Sequence, residues 1–582
     1  MEVLIASAIF LLFALGIYSG ITLIFKIVYQ SRMRILETAL LAEQLEIAHN
    51  LPYESVGIIN GVPSGVLAHA TTTIRNGQSF YILTTVRNID DPFDGTVGGS
   101  PNDTSPADYK LVEMSAICVG CLQQTPVILS TVVAPKQLEG ATQNGALFIQ
   151  VFDYNGLPVV GATVDVTNTK ATSTVVITDT TGNDGYLRIV DTPTGTMSYS
   201  IRVSKNGYSS DYTVPVSASV PTPIKPPANV VSQTITDISF AIDKTSNLDL
   251  HFITPACVAI ANVPFSIRGE KRIGSDPDVY KYDRNLTANG SGNYSFANFE
   301  WDKYHISVTG TTYNIGGSIP MLPIDLTPGL TQDASVILQT YSTHSLLVKV
   351  KDAGTGLPLS DATVHLTAAG YDESMTTGYG YVRQTDWSGG SGQASYVNQT
   401  KYYSDNSNVS VATAGDLKLK KTGSHYSSSG LLESSTIDLG ASANFNNIVT
   451  KSTVPAQTGT NPITFQIASS NSSSPASWVF SGPDGTAGTY YTATNTLIWS
   501  GNNGHRYFRY KVFLNTANTS YTPTLSEVAF TYITSCTPPG QIFFSGLSAT
   551  TYTLDVSHLG YTTNNDTVDV SGATEMEVNL SP

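Results

Sequence analysis

The feature that most constrains this chain is an apolar run from Val3 to Ile27, broken only by Lys26 near its end. About 20 such residues suffice for a helix to cross a bilayer. The helical pattern continues past the run. Met33, Leu36, Leu40, Leu41, Leu45 and Ala48 fall along one stripe, while Glu37, Glu43, Gln44 and Glu46 lie mostly on other sides. Pro52 ends the pattern. The expectation is one helix over 1–52, a membrane anchor in its first half and amphipathic in its second. A cleaved signal peptide fits poorly, because no basic segment precedes the run and Glu2 stands where positive charge is expected. A plain anchor explains neither Glu2 nor the amphipathic continuation. Lys26, Arg32 and Arg34 after the run favour a cytoplasmic remainder. The β-rich composition of that remainder argues for export, and we take the bulk of the chain to lie outside.

With 582 residues, several domains are expected. Only 13% of residues are charged, and Ser, Thr, Gly, Asn and Tyr are abundant. That balance suits short strands and polar turns rather than long soluble helices, so the fold class is mainly β, with antiparallel sandwiches following the helix. A net charge of −15 with no basic tract excludes nucleic acid as a main partner.

Internal repeats divide the remainder. ALFIQVFDYNGLPVVGATVDV from Ala146 aligns with SLLVKVKDAGTGLPLSDATVHL from Ser345, and YSIRVSKNGYSSDYTV from Tyr199 aligns with YTLDVSHLGYTTNNDTV from Tyr552. Val164 and Tyr199 are 35 positions apart, whereas Val364 and Tyr552 are 188 apart. The second copy therefore carries an insertion of roughly 150 residues, the size of a domain. Loop closure cost rises only logarithmically with length, so a sandwich tolerates such an insert when it folds by itself. A divergent relative lies between, with GNYSFANFEWDKYHISV paralleling GQIFFSGLSATTYTLDV. The expected division is 1–52 helix, 53–138 small β domain, 139–246 first sandwich, 247–340 divergent sandwich, 341–387 with 535–582 third sandwich, and 388–534 inserted sandwich.

The segment after the helix contains ATTTIR-NG-QSFYILTTV, where Asn76-Gly77 between β-branched strands signals a type I′ hairpin. Asp90, Asp91, Asp94, Asp103 and Asp108 follow in a turn-rich loop. Two readings stand: carboxylates converging on calcium, which takes six to eight oxygens, or Asp serving turn backbone. Cys118 and Cys121 form a CxxC read as a hairpin disulfide or a thiol pair, because no further metal ligands stand near. The pairing of Cys257 and Cys536 is open; a bridge needs adjacent repeats to bring them together. In the insert, Trp478, Tyr490, Tyr491, His505, Arg506 and Tyr507 suggest a platform for a surface glycan, since rings stack on apolar sugar faces. The other reading places Trp478, Phe508 and Tyr510 in the core.

Glu2-Val3-Leu4-Ile5-Ala6-Ser7-Ala8-Ile9-Phe10, with LAEQLEIAHNLPYESVG further on, resembles the N-terminal helix of type IV pilins and type II secretion pseudopilins. The family's Gly-Phe cleavage site and basic leader are missing, and Met1 directly precedes Glu2, which points to a truncated gene start. The resemblance implies that Glu2 neutralises a neighbouring subunit's amino terminus during assembly, with pilin or pseudopilin subunits as partners. It implies a single pass in the inner membrane before assembly, and some pseudopilins bind calcium in a loop comparable to that of Asp90 to Asp108. The repeats resemble carboxypeptidase regulatory-like and collagen-adhesin B-type sandwiches, which are spacers without peptidase residues. Some of the latter carry a Lys–Asn isopeptide bond that uses a Glu; Arg202 and Asp555 stand at the matching positions, so that bond is not expected. The insert is similar to discoidin or carbohydrate-binding jelly rolls. Together these imply a structural or adhesive minor pilin or pseudopilin-like protein, the alternative being an anchored adhesion or carbohydrate-binding protein that forms no filament. No HExxH, GxSxG, Walker A or GxGxxG in a strand–helix setting occurs, so no enzyme and no cofactor beyond calcium is expected.

Overall fold

The structure is a computed structural model that describes residues 2–121, 125–136, 142–170, 174–393, 400–411, 415–492 and 496–582, with side chains from residue 10 onward. A single helix, Glu2–His49, opens the chain and is followed by strands arranged in packed sheets. At 1.5 Å per residue it is about 72 Å long. From Phe10 it is long and apolar enough to cross a membrane, and its most apolar window has no residue buried in the protein. Further along, Met33, Leu40, Leu41 and Ala48 are buried against Phe80, Ile82, Val112 and Met114, so the expected stripe is the packing face. Burying each of the Met33, Leu40 and Leu41 side chains stabilises the joint by about 2 kcal/mol. Glu37 departs from the sequence expectation, being fully buried on the packed side.

The first sheet runs in the order Ala70–Arg75, Gln78–Ile89, Tyr109–Cys118, Val127–Val133, all antiparallel. Its hairpin turns at Asn76 and Gly77, with φ of 52° and 75°, the left-handed pair that a type I′ turn requires.

Three two-sheet sandwiches follow, each with its own buried cluster, around Leu147 and Tyr199, around Leu248 and Tyr304, and around Leu346 and Tyr552. Most pairings are antiparallel. In each sandwich, however, an early and a late strand pair in parallel: Gly145–Phe152 with Ile235–Ala241, Ser246–Ile253 with Thr331–Thr340, and Ser345–Asp352 with Ala573–Leu580. A parallel pair needs a crossover, and here the intervening strands supply it. The three buried tyrosines also share a device. Tyr199 and Tyr304 donate to the carbonyls of Pro193 (2.6 Å) and Glu300 (2.8 Å), and Tyr552 accepts from the Ser548 amide at 2.9 Å.

The third sandwich is discontinuous in sequence, with Thr363–Ala368 pairing Thr550–Ser557. Gly380–Gln384 pairs with Thr524–Ile533, and Val382 and Trp387 sit in the core with Phe508, Tyr510 and Phe530. These residues before 388 thus pack with the block expected to start there, because the entering chain supplies one of its strands. In that core the Trp387 indole donates to the Tyr510 hydroxyl at 2.9 Å, which donates to Gln384 at 2.6 Å, so the buried polar atoms of the rings are paired.

Candidate functional site

Glu2 is the first residue of the helix, and its side chain lies outside the described residues. The apolar half of the helix nevertheless sets the frame, because everything with a packed core lies on its C-terminal side.

Among the described residues no three or more His, Cys, Asp or Glu side chains gather as a metal would require. The carboxylates of the acidic loop cap the loop's own amides. Asp90 accepts from Val97 N at 2.9 Å, Asp91 from Phe93 N at 3.1 Å, Asp103 from Ser105 N at 2.8 Å, and Asp108 from Asp91 N. Asp94 points to solvent. The turn-backbone reading describes these contacts, since Asp in turns satisfies nearby N–H groups. Burial pushes the Asp90 carboxyl above its usual range, opposed by the Val97 amide and assisted by Asp103, Asp108 and Asp94. Oδ1 of Asp90 and Oδ2 of Asp103 are buried without a hydrogen-bond partner. Cys118 and Cys121 are joined at the end of their strand, with Cα atoms 5.5 Å apart.

The inserted domain separates the six residues expected to form a ligand platform. Tyr491 is fully buried in the core. The Arg506 guanidinium forks onto the Asp438 carboxylate, Nε to Oδ1 at 2.7 Å and a terminal nitrogen to Oδ2 at 2.9 Å. His505 Nδ1 lies 2.8 Å from Ser469 Oγ, which makes it part of the strand packing. Trp478, Tyr490 and Tyr507 keep surface exposure. The strand His505–Asn515 alternates, so Phe508, Tyr510, Val512 and Leu514 face the core while Arg509 and Lys511 lie on the outer side. Trp478 leaves the core that Phe508 and Tyr510 occupy and covers this outer face. The Arg509 guanidinium lies 4.1 Å from the Tyr403 ring and 5.1 Å from the Trp478 ring, and donates to Glu433 at 2.9 Å. Such a stacked, paired arginine is a positioned structural element.

The residue missed in sequence is Trp499. Its indole packs against Gly485 and Gly501 so closely that a side chain at either would overlap it, and it keeps 38% exposure. Its backbone is held by its N–H donating to the Tyr491 hydroxyl at 3.0 Å, and by its carbonyl accepting from Asn502 N at 3.1 Å. Gly485 has φ of 80°, in the turn Gly482–Gly485, where glycine is needed. The turn signal Gly-Pro-Asp-Gly at 482–485 is visible in sequence; that it backs a tryptophan 14 positions on is not.

No protein-family model matches this sequence, and no curated protein matches it. Among solved structures, the chain is similar to the TIE protein of Bacillus anthracis at 15% identity and TM-score 0.15, covering 54% of this chain and 64% of that one. It is also similar to the minor pilin GBS52 of Streptococcus agalactiae at 16% identity and TM-score 0.18, covering 34% of this chain and 97% of that one. The streptococcal ancillary pilin aligns at 12% identity and TM-score 0.17, covering 46% of this chain and 80% of that one. The chain thus spans about two thirds or less of the length of the TIE protein.

Proposed function

We propose that this chain is a membrane-anchored, non-catalytic surface protein of the minor pilin or pseudopilin-like kind. On this reading the helix is the assembly element, and the β-modules project outward to meet partners or surfaces. The observation that carries it is the helix itself. From Phe10 its most apolar window has no residue buried in the protein, and its amphipathic half is packed on the first sheet, so the anchor and the first β domain form one continuous unit. The proposed units are the small β domain, three sandwiches and the insert interrupting the third, with borders as read from the repeats. Filament partners, glycan contact and an extracytoplasmic location belong to the same proposal.

The test substitutes Glu2. Glu2→Ala and Glu2→Leu are expected to abolish recovery of the chain in sheared surface filaments while leaving it in the membrane fraction. Recovery equal to wild type sinks filament assembly and leaves the alternative, an anchored adhesion protein. Protease added to intact cells is expected to digest 53–582; full protection overturns the outward orientation.

A further inference from the structure

The glycine-backed Trp499 has no role in the fold that explains its exposure. An indole at 38% exposure costs hydration, a cost that rings such as Phe508, Tyr510 and Phe530 avoid by entering the core of the insert. Trp499 is instead held at the surface by three separate contacts. The Tyr491 hydroxyl accepts its N–H and also donates to the Gly482 carbonyl at 3.2 Å, which ties the ring's own backbone to the turn that backs it. Asn502 donates twice to the Trp499 carbonyl, from N at 3.1 Å and from Nδ2 at 3.3 Å. Gly485 and Gly501 lie against the ring, so it has little room to swing away.

The turn that carries Gly485 also carries a fixed acceptor. Asp484 immediately precedes Gly485, and its Oδ1 accepts from Thr486 N at 2.8 Å, from Thr486 Oγ1 at 2.9 Å and from Thr489 Oγ1. The three contacts use the same oxygen, which leaves Oδ2 as the acceptor for an incoming donor. The Thr489 hydroxyl and the Thr486 donors hold this exposed carboxyl below the usual range, so it is ionised at neutral pH. Thr486, Thr489 and Ser500, polar and short, lie near Asp484 and Trp499 in sequence, with the exposed Leu497 two residues before the indole. A single rigid ring face backed by a hydroxyl-bearing turn is less than the continuous hydrophobic patch that an apolar helix or strand needs. It suits a ligand that is flat and apolar on one face and ringed by hydroxyl donors.

We propose that Trp499 and Asp484 form a saccharide subsite that takes a β-linked pyranose with equatorial hydroxyls, its axial C–H face on the indole and a hydroxyl donating to Asp484 Oδ2. The site is distinct from the Tyr403–Arg509–Trp478 stack, whose guanidinium is already enclosed and paired. The proposal deepens the outward-display reading above, on which it rests for its biological setting.

The test uses the full chain in detergent micelles, titrated with cellotetraose, chitotetraose and, as the α-linked comparison, maltotetraose, followed by tryptophan fluorescence and calorimetry. Saturable binding of one or both β-linked probes is expected, with maltotetraose weaker. Trp499→Ala is expected to weaken binding at least tenfold, Trp499→Phe less, and Asp484→Asn several-fold. Gly501→Ala keeps the indole but displaces it, and is expected to weaken binding as well. Trp478→Ala is expected to bind as wild type. Absence of binding by wild type to every probe overturns the proposal, as does equal binding by Trp499→Phe and Gly501→Ala chains whose melting matches wild type. Protease accessibility on intact cells separates the two readings: a surface-exposed chain that binds no probe sinks the subsite alone, and a protected chain that binds sinks the display alone.

Discussion

Cys257 and Cys536, 279 positions apart, are bridged with their Cα atoms 5.6 Å apart, so the second sandwich is tied covalently to the chain leaving the inserted domain. Cys257 also occupies a special backbone position. Its φ of 58° matches that of Gly156 (78°) and Gly356 (70°) in the sibling repeats, where the bridges Phe152↔Pro158, Ile253↔Ala259 and Lys351↔Pro358 mark the same turn. A left-handed non-glycine residue costs about 1 kcal/mol, and the covalent link is a reason to keep it. Around it, a side chain at Gly440 would overlap the Ala256 carbonyl, and the Gln541 amide both accepts from Ser318 N (3.1 Å) and donates to Ser318 O (2.8 Å).

Reduction or Cys536→Ser is therefore expected to raise hydrogen exchange in 254–258 and 534–541 while leaving the sandwich cores protected. In the reduced state, Cys257→Gly is expected to be more stable than Cys257→Ala by about 1 kcal/mol, because only glycine is at ease at positive φ. Equal melting of the two variants contradicts the strain argument.

Arg87 of the first sheet forks onto Asp179 of the first sandwich, Nε to Oδ2 at 2.6 Å and a terminal nitrogen to Oδ1 at 2.5 Å. The Asp179 side chain is only 7% exposed. Arg87→Met leaves that carboxylate buried without its partner and is expected to cost about 3 kcal/mol. Arg87→Met with Asp179→Leu should recover part of the loss, since both charges are then gone. Calorimetry of the three variants against wild type checks the order.

What the sequence revealed follows from which interactions are local. The alternation around Leu147 or Val364 and the Gly-Leu-Pro turns are written at fixed short spacing, so the mainly β class of the chain after the helix was legible. The helix stripe was legible for the same reason, although buried Glu37 was not, because its surroundings come from a sheet formed later in the chain. The candidate site was read less well. Tyr490 and Tyr491 are adjacent in a strand-like segment and therefore point opposite ways, one outward and one into the core, a distinction that residue type alone does not carry. His505 and Arg506 have partners at Ser469 and Asp438, both more than 30 positions away. Trp499 depends on two glycines whose nearness is tertiary. The aspartates of the loop were ambiguous because turn capping and metal binding favour the same residue.

Asp90 gives the first module a pH signature. Burial raises its folded pKa above the unfolded value, so the folded state holds the proton more tightly. The sign follows: stability from this group is fully present below the unfolded value and is lost as pH rises through the raised one. Asp90→Asn is expected to flatten that dependence and to be more stable than wild type at neutral pH. Urea unfolding of the two chains at mildly acidic and neutral pH checks this, and a wild type that gains stability over Asp90→Asn with rising pH contradicts it.

Tyr491 links the core of the insert to the proposed sugar subsite, which makes it a positioning residue. Its hydroxyl makes two backbone contacts, as donor to Gly482 O and acceptor from Trp499 N, at a site where the ring itself is fully buried. Tyr491→Phe keeps the ring and its packing but leaves the half-buried Trp499 N–H without its partner, while the Gly482 carbonyl keeps only the Gly485 N–H. Leaving such groups unpaired costs about 1–3 kcal/mol, and for a domain of this size each kcal/mol lowers Tm by about 2–4 °C. The turn and the Trp499 backbone then lose their common tie, so the fluorescence anisotropy decay of Trp499, measured with the other three tryptophans replaced by Phe, is expected to gain a fast component. Tyr490→Phe, which alters a side chain 41% exposed, should change neither. A Tyr491→Phe chain with unaltered Tm and unaltered Trp499 motion would show that the glycines alone hold the ring.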